Sequence, residues 1–405
     1  MRKRNRLNLN KISRRKQRQK RKKLYTFLKV AGIAFGLLIV LYLGYFTAGV
    51  VYKKMTDNTV TPENITSEGG TVTATPEDKM KNTKTVSLYI PSQKIADGQY
   101  LNIISNAKSK GFNNIILEIK DSEGNIYFET SNETAVNSGA VSSKAVDLNE
   151  IEKNVKNLGM TLSVKLCTFK DNIMPTHIQK AAVCINEGTT WLDSNYKRWI
   201  NPYSVEGTQY ISSLCSEISS KYKVSEIILS NVSFVSNGKT YLINYEKTPQ
   251  AISKEDTLVN FVKSVKKGLN GDVKLGIIED GYYLYNNFTD EKSGLSKKVM
   301  LSGDICYPFL NPSLVQSHTP IVTGEININN AEENLYNTVY QLYKSCIKNN
   351  NTQCYIKPVI QGFNLNSRNL TADDLQNQVK ALKDNNQEYY VVYSIDGNIN
   401  FGLFK

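Results

Sequence analysis

Six carboxylates stand at or near the ends of short apolar runs: Glu118, Asp121, Asp171, Glu279, Asp280 and Asp304. Lys170, Ser230, Ser233, Tyr307 and Gln361 occupy comparable positions. Several carboxyl groups gathered at one site suit sugar chemistry. One acid protonates the leaving oxygen while a second carboxylate attacks the anomeric carbon, stabilises it or activates water. Glu118, Glu279, Asp280 and Asp304 are the candidate acids. Asp121, Lys170, Asp171, Trp191, Ser230, Ser233, Tyr307 and Gln361 are the candidate substrate contacts. Trp191, with Tyr282, Tyr283 and Tyr285, supplies rings that can stack on sugars. A bland alternative stands beside this one, because carboxylates crowd the rim of many barrels and tyrosine clusters often serve packing.

Other chemistries find little support. There are only two histidines, His177 and His318, both in polar segments, so a His-based zinc site or a Ser-His-Asp triad is not expected. Two solvent-exposed histidines is the default. The six cysteines contain no CxxC pair and read mainly as small buried apolar residues. Cys346 and Cys354 flank a polar link, which leaves a bridge between them open. No glycine-rich phosphate loop stands out, so no metal and no cofactor is expected.

The elements that must position these residues alternate. Strand-like runs occupy 86–91, 114–120, 161–168, 226–234, 273–279, 299–308, 355–363 and 388–395. Most are nearly continuous apolar stretches, the pattern of strands buried on both faces of a parallel sheet. Helical patterns fill 99–110, 148–158, 205–222, 257–268, 331–348 and 371–384. Leu148, Ile151, Val155 and Leu158 share one helix face, and Thr371 with Asp374 makes a capped start. The link 281–298 is the least regular. Eight strands alternating with helices predict an α/β fold, a (β/α)₈ TIM barrel over 86–405, with an open doubly wound sheet as the alternative. A barrel collects its functional residues at the C-terminal ends of its strands, and most of the candidates above fall at or near such ends.

Residues 30–52 hold no charge, a run of 23 residues. About 20 apolar residues cross a bilayer core as a helix. The chain therefore reads as a basic tail (1–23), a transmembrane signal-anchor helix (24–52), a hydrated linker (53–85) and the barrel. The tail carries 13 Lys and Arg and no acid, which keeps it in the cytoplasm and places the barrel outside the cell membrane. Removing those 13 from the chain's 50 Lys and Arg leaves 37 against 37 Asp and Glu. The basic excess thus belongs to the tail, where anionic lipid is the plain partner, and no nucleic-acid-binding domain is implied. Nothing in the chain sets an oligomeric state.

Residues 86–397 resemble a bacterial family of glycosyl hydrolase-like domains built as TIM barrels. The resemblance rests on Ile116-Leu117-Glu118-Ile119-Lys120-Asp121 with Gly124, on Thr168-Phe169-Lys170-Asp171, on Trp191-Leu192-Asp193 and on Trp199-Ile200-Asn201-Pro202-Tyr203. It implies carbohydrate as substrate or ligand. The departures fall where the family carries charge. Its Asp and Arg at the end of the fourth strand are Ser230 and Ser233, its Asp before Pro202 is Asn201, and its Gln-Asp-Phe is Gln361-Gly362-Phe363. The family's Met-Val-Tyr-Pro is kept in outline as Ile305-Cys306-Tyr307-Pro308.

A serine or a glycine cannot stabilise an oxocarbenium-like transition state as a carboxylate can. The resemblance therefore implies either a degenerate member, a pseudoenzyme that binds cell-wall or surface polysaccharide, or a relocated acid pair drawn from the four candidates. A non-enzymatic envelope scaffold that binds protein is the alternative from a different class.

Overall fold

The structure, a computed structural model, describes residues 84–186, 188–245, 252–324 and 326–404. The basic tail, the apolar run 30–52 and nearly all of the linker lie outside the described residues. Among the described residues no helix is long and apolar enough to cross a membrane.

Eight parallel strands close into a barrel: β1 (Val86–Ile90), β2 (Asn114–Lys120), β3 (Thr161–Cys167), β4 (Glu226–Ser230), β5 (Lys274–Asp280), β6 (Ile305–Phe309), β7 (Val359–Gln361) and β8 (Tyr390–Tyr393). β1 pairs with β2 on one side and with β8 on the other, which closes the ring and excludes the open sheet. A two-residue strand, Tyr355–Ile356, precedes β7 and pairs with the start of β6. All seven residues of β2 are buried, as a strand with helices outside and barrel inside must be.

The crossovers carry α1 (Tyr100–Ser109), α2 (Leu148–Asn157), α3 (Val205–Lys221), α4 (Lys254–Gly268), the one-turn α5 (Lys297–Met300), α6 (Leu335–Asn349) and α7 (Ala372–Lys383). Their starts are chemically marked. Asp147, Ser204, Ser253 and Asn334 accept backbone N–H groups of the first turns. Thr371 and Asp374 form the full reciprocal capping box of α7. Leu148, Ile151 and Val155 turn the buried face of α2 onto the barrel.

Two strands differ from expectation. The run 226–234 stops as a strand at Ser230 because Asn231 adopts φ +53°, a left-handed conformation that ends the extended ladder. The run 299–308 begins as a strand only at Ile305. Its first residues belong to α5, whose start Ser296 caps by accepting the Val299 N–H.

The barrel interior is layered. Ile116, Ile228, Ile278, Ile305, Val359 and Val391 form an apolar cluster with Tyr89 and Tyr307. Charged residues lie on either side of it. Toward the C-terminal ends, the mouth, stands the ion pair Glu118–Lys165. Toward the N-terminal ends, the floor, stands Glu226–Lys357.

Candidate functional site

The mouth is built first from β2 and β3, which pair with Glu118 opposite Lys165. Their side chains meet at 2.6 Å, nearly buried. The other Glu118 oxygen accepts the backbone N–H (3.2 Å) and the hydroxyl (3.0 Å) of Ser92. Burial alone would raise the Glu118 pKa, but Lys165 and Ser92 outweigh it and hold the carboxyl below its usual range. Burial alone would lower Lys165, and Glu118 reverses that too. Lys165 is thus a fixed ammonium rather than a neutral amine nucleophile. Its Nζ lies 5.7 Å from the centre of the Tyr89 ring. Tyr89 stacks obliquely on Tyr393 at 4.6 Å, and Phe309 meets Tyr393 edge-on at 4.9 Å. This makes an aromatic wall of β1, β6 and β8 residues around the ion pair.

β5 supplies the other two acids. Glu279 accepts the Val232 N–H at 3.0 Å beneath the loop after β4. It keeps some solvent contact at its edge, yet burial pushes its carboxyl up to about 7 against the opposing pull of that N–H and of Lys165. Asp280 accepts the Tyr282 N–H at 2.9 Å and pairs with His318 Nε2 at 2.8 Å. Hydrogen bonding to Asp280, opposed by partial burial, raises the His318 pKa. The imidazole stacks on Tyr282 at 4.5 Å, and Tyr282 also touches Phe288, which is well exposed. Ser230 ends β4 nearly buried, with no hydrogen-bond partner for its Oγ.

Other candidates sit elsewhere. Asp304 precedes β6 at the floor, where it accepts the Leu275 N–H (2.9 Å) and pairs with Lys266 (2.7 Å). It cannot join an acid pair at the mouth. Tyr307 is fully buried and donates its hydroxyl to Glu226 at the floor, so it is not a rim contact. Trp191 is only 1% exposed and donates its indole N–H to the Lys239 carbonyl, leaving no ring face for a sugar. Asp171 is buried beside Lys120 at 2.7 Å, and its other oxygen accepts the N–H groups of Ile173 and Met174. Asp121 braces its own turn by accepting from Glu123, Asn125 and Tyr127.

Gln361 is fully buried and spends its amide on Ser313, Phe363 and Asn364. Lys170 bridges to Trp199 through its backbone, and Ser233 is nearly buried in the loop beyond β4. Asn201 caps a turn by accepting the Tyr203 N–H. The structure thus brings Glu118, Glu279, Asp280 and Ser230 to the ends of β2, β4 and β5. It assigns Asp121, Asp171 and Gln361 to holding loops. All six cysteines are free, Cys346 and Cys354 among them.

A model of the family described as "Putative glycosyl hydrolase domain" matches residues 87–398. The chain belongs to that family. Comparison with curated proteins gives no significant match. Among solved structures, the family member is similar to the PgaB (BpsB) glycoside hydrolase domain from Bordetella bronchiseptica. That likeness has 12% identity and a TM-score of 0.54, covering 77% of this chain and 94% of that one. It is also similar to a hypothetical protein from Ruminiclostridium thermocellum, at 20% identity and TM-score 0.42, covering 47% and 96%. A further match is the catalytic domain of β-amylase from Paenibacillus polymyxa, at 9% identity and TM-score 0.46, covering 79% and 94%. At 12% identity the likeness to the PgaB domain extends to the fold alone.

Several family motifs turn out to be architectural in this member. Lys120 and Asp171 tie the ends of β2 and β3 together inside the protein. Gly124 has φ +94°, and a Cβ there would lie 2.3 Å from Asp171 Oδ1. Asp193 accepts the N–H groups of Asn195 and Lys197 and the indole N–H of Trp199.

Besides Ser92 and the rings of Tyr89, Phe309 and Tyr393, two charged site residues were not anticipated. Lys165 had a signal in the alternation of Ser163, Lys165 and Cys167 with Leu162, Val164 and Leu166, which turns polar residues to the interior. His318 had none, because a loop on the far side of β6 brings it to Asp280.

Proposed function

We propose that this protein is a membrane-anchored, glycan-binding barrel of the bacterial cell envelope that hydrolyses glycans poorly or not at all. The observation that carries this reading is the state of the mouth carboxylates. Both oxygens of Glu118 are engaged, one by Lys165 and one by Ser92, and both oxygens of Asp280 are engaged as well. Glu279, poised near neutral pH, suits a general acid. Among the described residues the other mouth carboxylates, Glu118 and Asp280, are engaged, and Ser230 stands where the family resemblance expects an acid. Two-carboxylate hydrolysis needs both roles filled.

Binding needs less. The half-buried Phe309 and Tyr393 rings can pack on the apolar faces of sugars. In this reading helix 24–52 anchors the chain with the basic tail inside, and linker 53–85 spaces the barrel from the membrane. The protein partner role of a scaffold has no comparable observation behind it.

The test is a binding screen of the detergent-solubilised full chain against cell-wall polysaccharides, run beside a hydrolysis assay on each glycan bound. Saturable binding lost in Tyr393→Ala, with hydrolysis at background and raised by Ser230→Asp, is the expected pattern. Robust hydrolysis abolished by Glu279→Gln would overturn the inactive reading. Binding to no glycan would overturn the function. Protease added to intact cells should remove the barrel and spare the tail, and a fully protected barrel would overturn the topology.

A further inference from the structure

The floor of the barrel holds a cavity of about 490 Å³, separated from the mouth by the apolar interior layer. That volume falls within the range of small-ligand sites, roughly 300–1,000 Å³. Its base is charged. Glu226 and Lys357, each 7% exposed, form an ion pair there. Glu226 is saturated, because its second oxygen accepts from Tyr307 and from Ser163. Lys357 is not. An ammonium carries three donors, and Glu226 takes one. The Tyr307 ring lies 5.8 Å from Nζ, and the cavity lies beyond.

A second ammonium faces the same space. Lys274 pairs in register with Glu226. Two residues along β5, a Cβ on Gly276 would strike Tyr307 and Ile228 of the interior, so Lys274 shares that interior row. It lines the cavity, and among the described residues no carboxylate pairs with it. Asp304, close enough to Cys354 to be felt there, is already neutralised by Lys266. The Cys354 thiol is pushed up to about 12 by burial and stays neutral. Two ammonium groups against one carboxylate leave the cavity with one uncompensated positive charge.

The walls suit an organic body. Tyr343, Tyr355 and Tyr389 line them with Ile347 and Ile356. The surrounding amides are held in place: Gln387 donates to Tyr343 and to the Ile356 carbonyl, and Asn114 accepts from Thr161. A buried charge pair beside a void is weak evidence for stability, since well-packed apolar groups would serve as well or better.

We propose that this floor cavity is a second binding site, for a small organic anion in which a carboxylate or phosphate group sits between Lys274 and Lys357 and a ring-sized body packs on the tyrosines. The site is independent of the glycan reading of the mouth, so either can fail without the other.

The test uses the detergent-solubilised full chain and isothermal titration with glucuronate and with inorganic phosphate, glucose serving as the neutral control. Saturable binding of at least one anion, weakened about tenfold or more by Lys274→Gln, is expected. The expected binding also weakens as salt rises and is blocked by Ile347→Trp, a change at a half-exposed position beside the cavity. Glu279→Gln at the mouth should leave it unchanged. Glucuronate and phosphate separate the carboxylate from the phosphate form of the ligand. Glucose binding as well as glucuronate, neither anion binding, or unaltered binding in both Lys274→Gln and Ile347→Trp would each overturn the proposal.

Discussion

Replacing Lys120 by methionine tests the claim that the family's Lys-Asp motifs are architectural. Lys120 and Asp171 are both fully buried, 2.7 Å apart, and Lys120 Nζ also donates to the Cys167 carbonyl at 3.0 Å. Methionine keeps most of the stem's volume and removes the charge. Asp171 then keeps two backbone N–H donors on Oδ1, but Oδ2 loses its cation. Breaking a buried pair from one side costs about 3–5 kcal/mol, because the remaining charge is uncompensated. At roughly 2–4 °C per kcal/mol for a domain of a few hundred residues, the melting midpoint should fall by about 6–20 °C. Lys120→Met combined with Asp171→Asn should cost clearly less than the sum of the single changes, since no unpaired charge is left. Thermal and urea denaturation followed by circular dichroism read both quantities. A loss below about 1 kcal/mol in Lys120→Met, or strict additivity in the double variant, would refute the argument.

Three further outcomes follow from other sites. Gly124→Ala should destabilise the barrel by about 2 kcal/mol or more, since φ +94° disfavours any side chain and the new methyl would strike Asp171; an unchanged urea midpoint would refute this. Glu279 has its folded pKa raised to about 7 from 4.5, so the folded state holds the extra proton between those values and stability falls as pH rises through that window. Glu279→Gln should flatten that slope between about pH 4.5 and 7, and an identical slope in denaturation curves would count against it. His318 has its folded pKa raised above 6.5, so the Asp280 pair contributes fully below 6.5 and is lost as pH rises through the higher folded value. Titration of the imidazole by NMR should show that elevation in the wild type and its loss in Asp280→Asn.

The fold was legible because the barrel's strands are buried on both faces and announce themselves as apolar runs. The runs at 114–120 and 161–168 match β2 and β3 to within a residue. Helix starts were legible where a side chain does the capping, as Thr371 and Asp374 do. The apolar run 299–308 misled because Val299 and Met300 are apolar in either a helix or a strand. Only packing decided that they form α5, which slid the strand toward the C-terminus and left Asp304 at the floor.

The candidate site was half visible. Glu118, Glu279, Asp280 and Ser230 could be placed from strand ends alone, since a parallel barrel brings those ends to one rim. Whether a rim carboxylate is free or engaged depends on partners far along the chain: Ser92 and Lys165 for Glu118, and His318 for Asp280. No local pattern encodes such long-range partners. Burial likewise took Trp191 and Tyr307 from rings that could bind sugar to rings that fill the interior. Residue type and period therefore set the chain's elements and the end of the barrel at which each acid belongs. Tertiary closure decided which of those acids still has an oxygen to offer, because desolvation and ion pairing exist only once distant strands are neighbours.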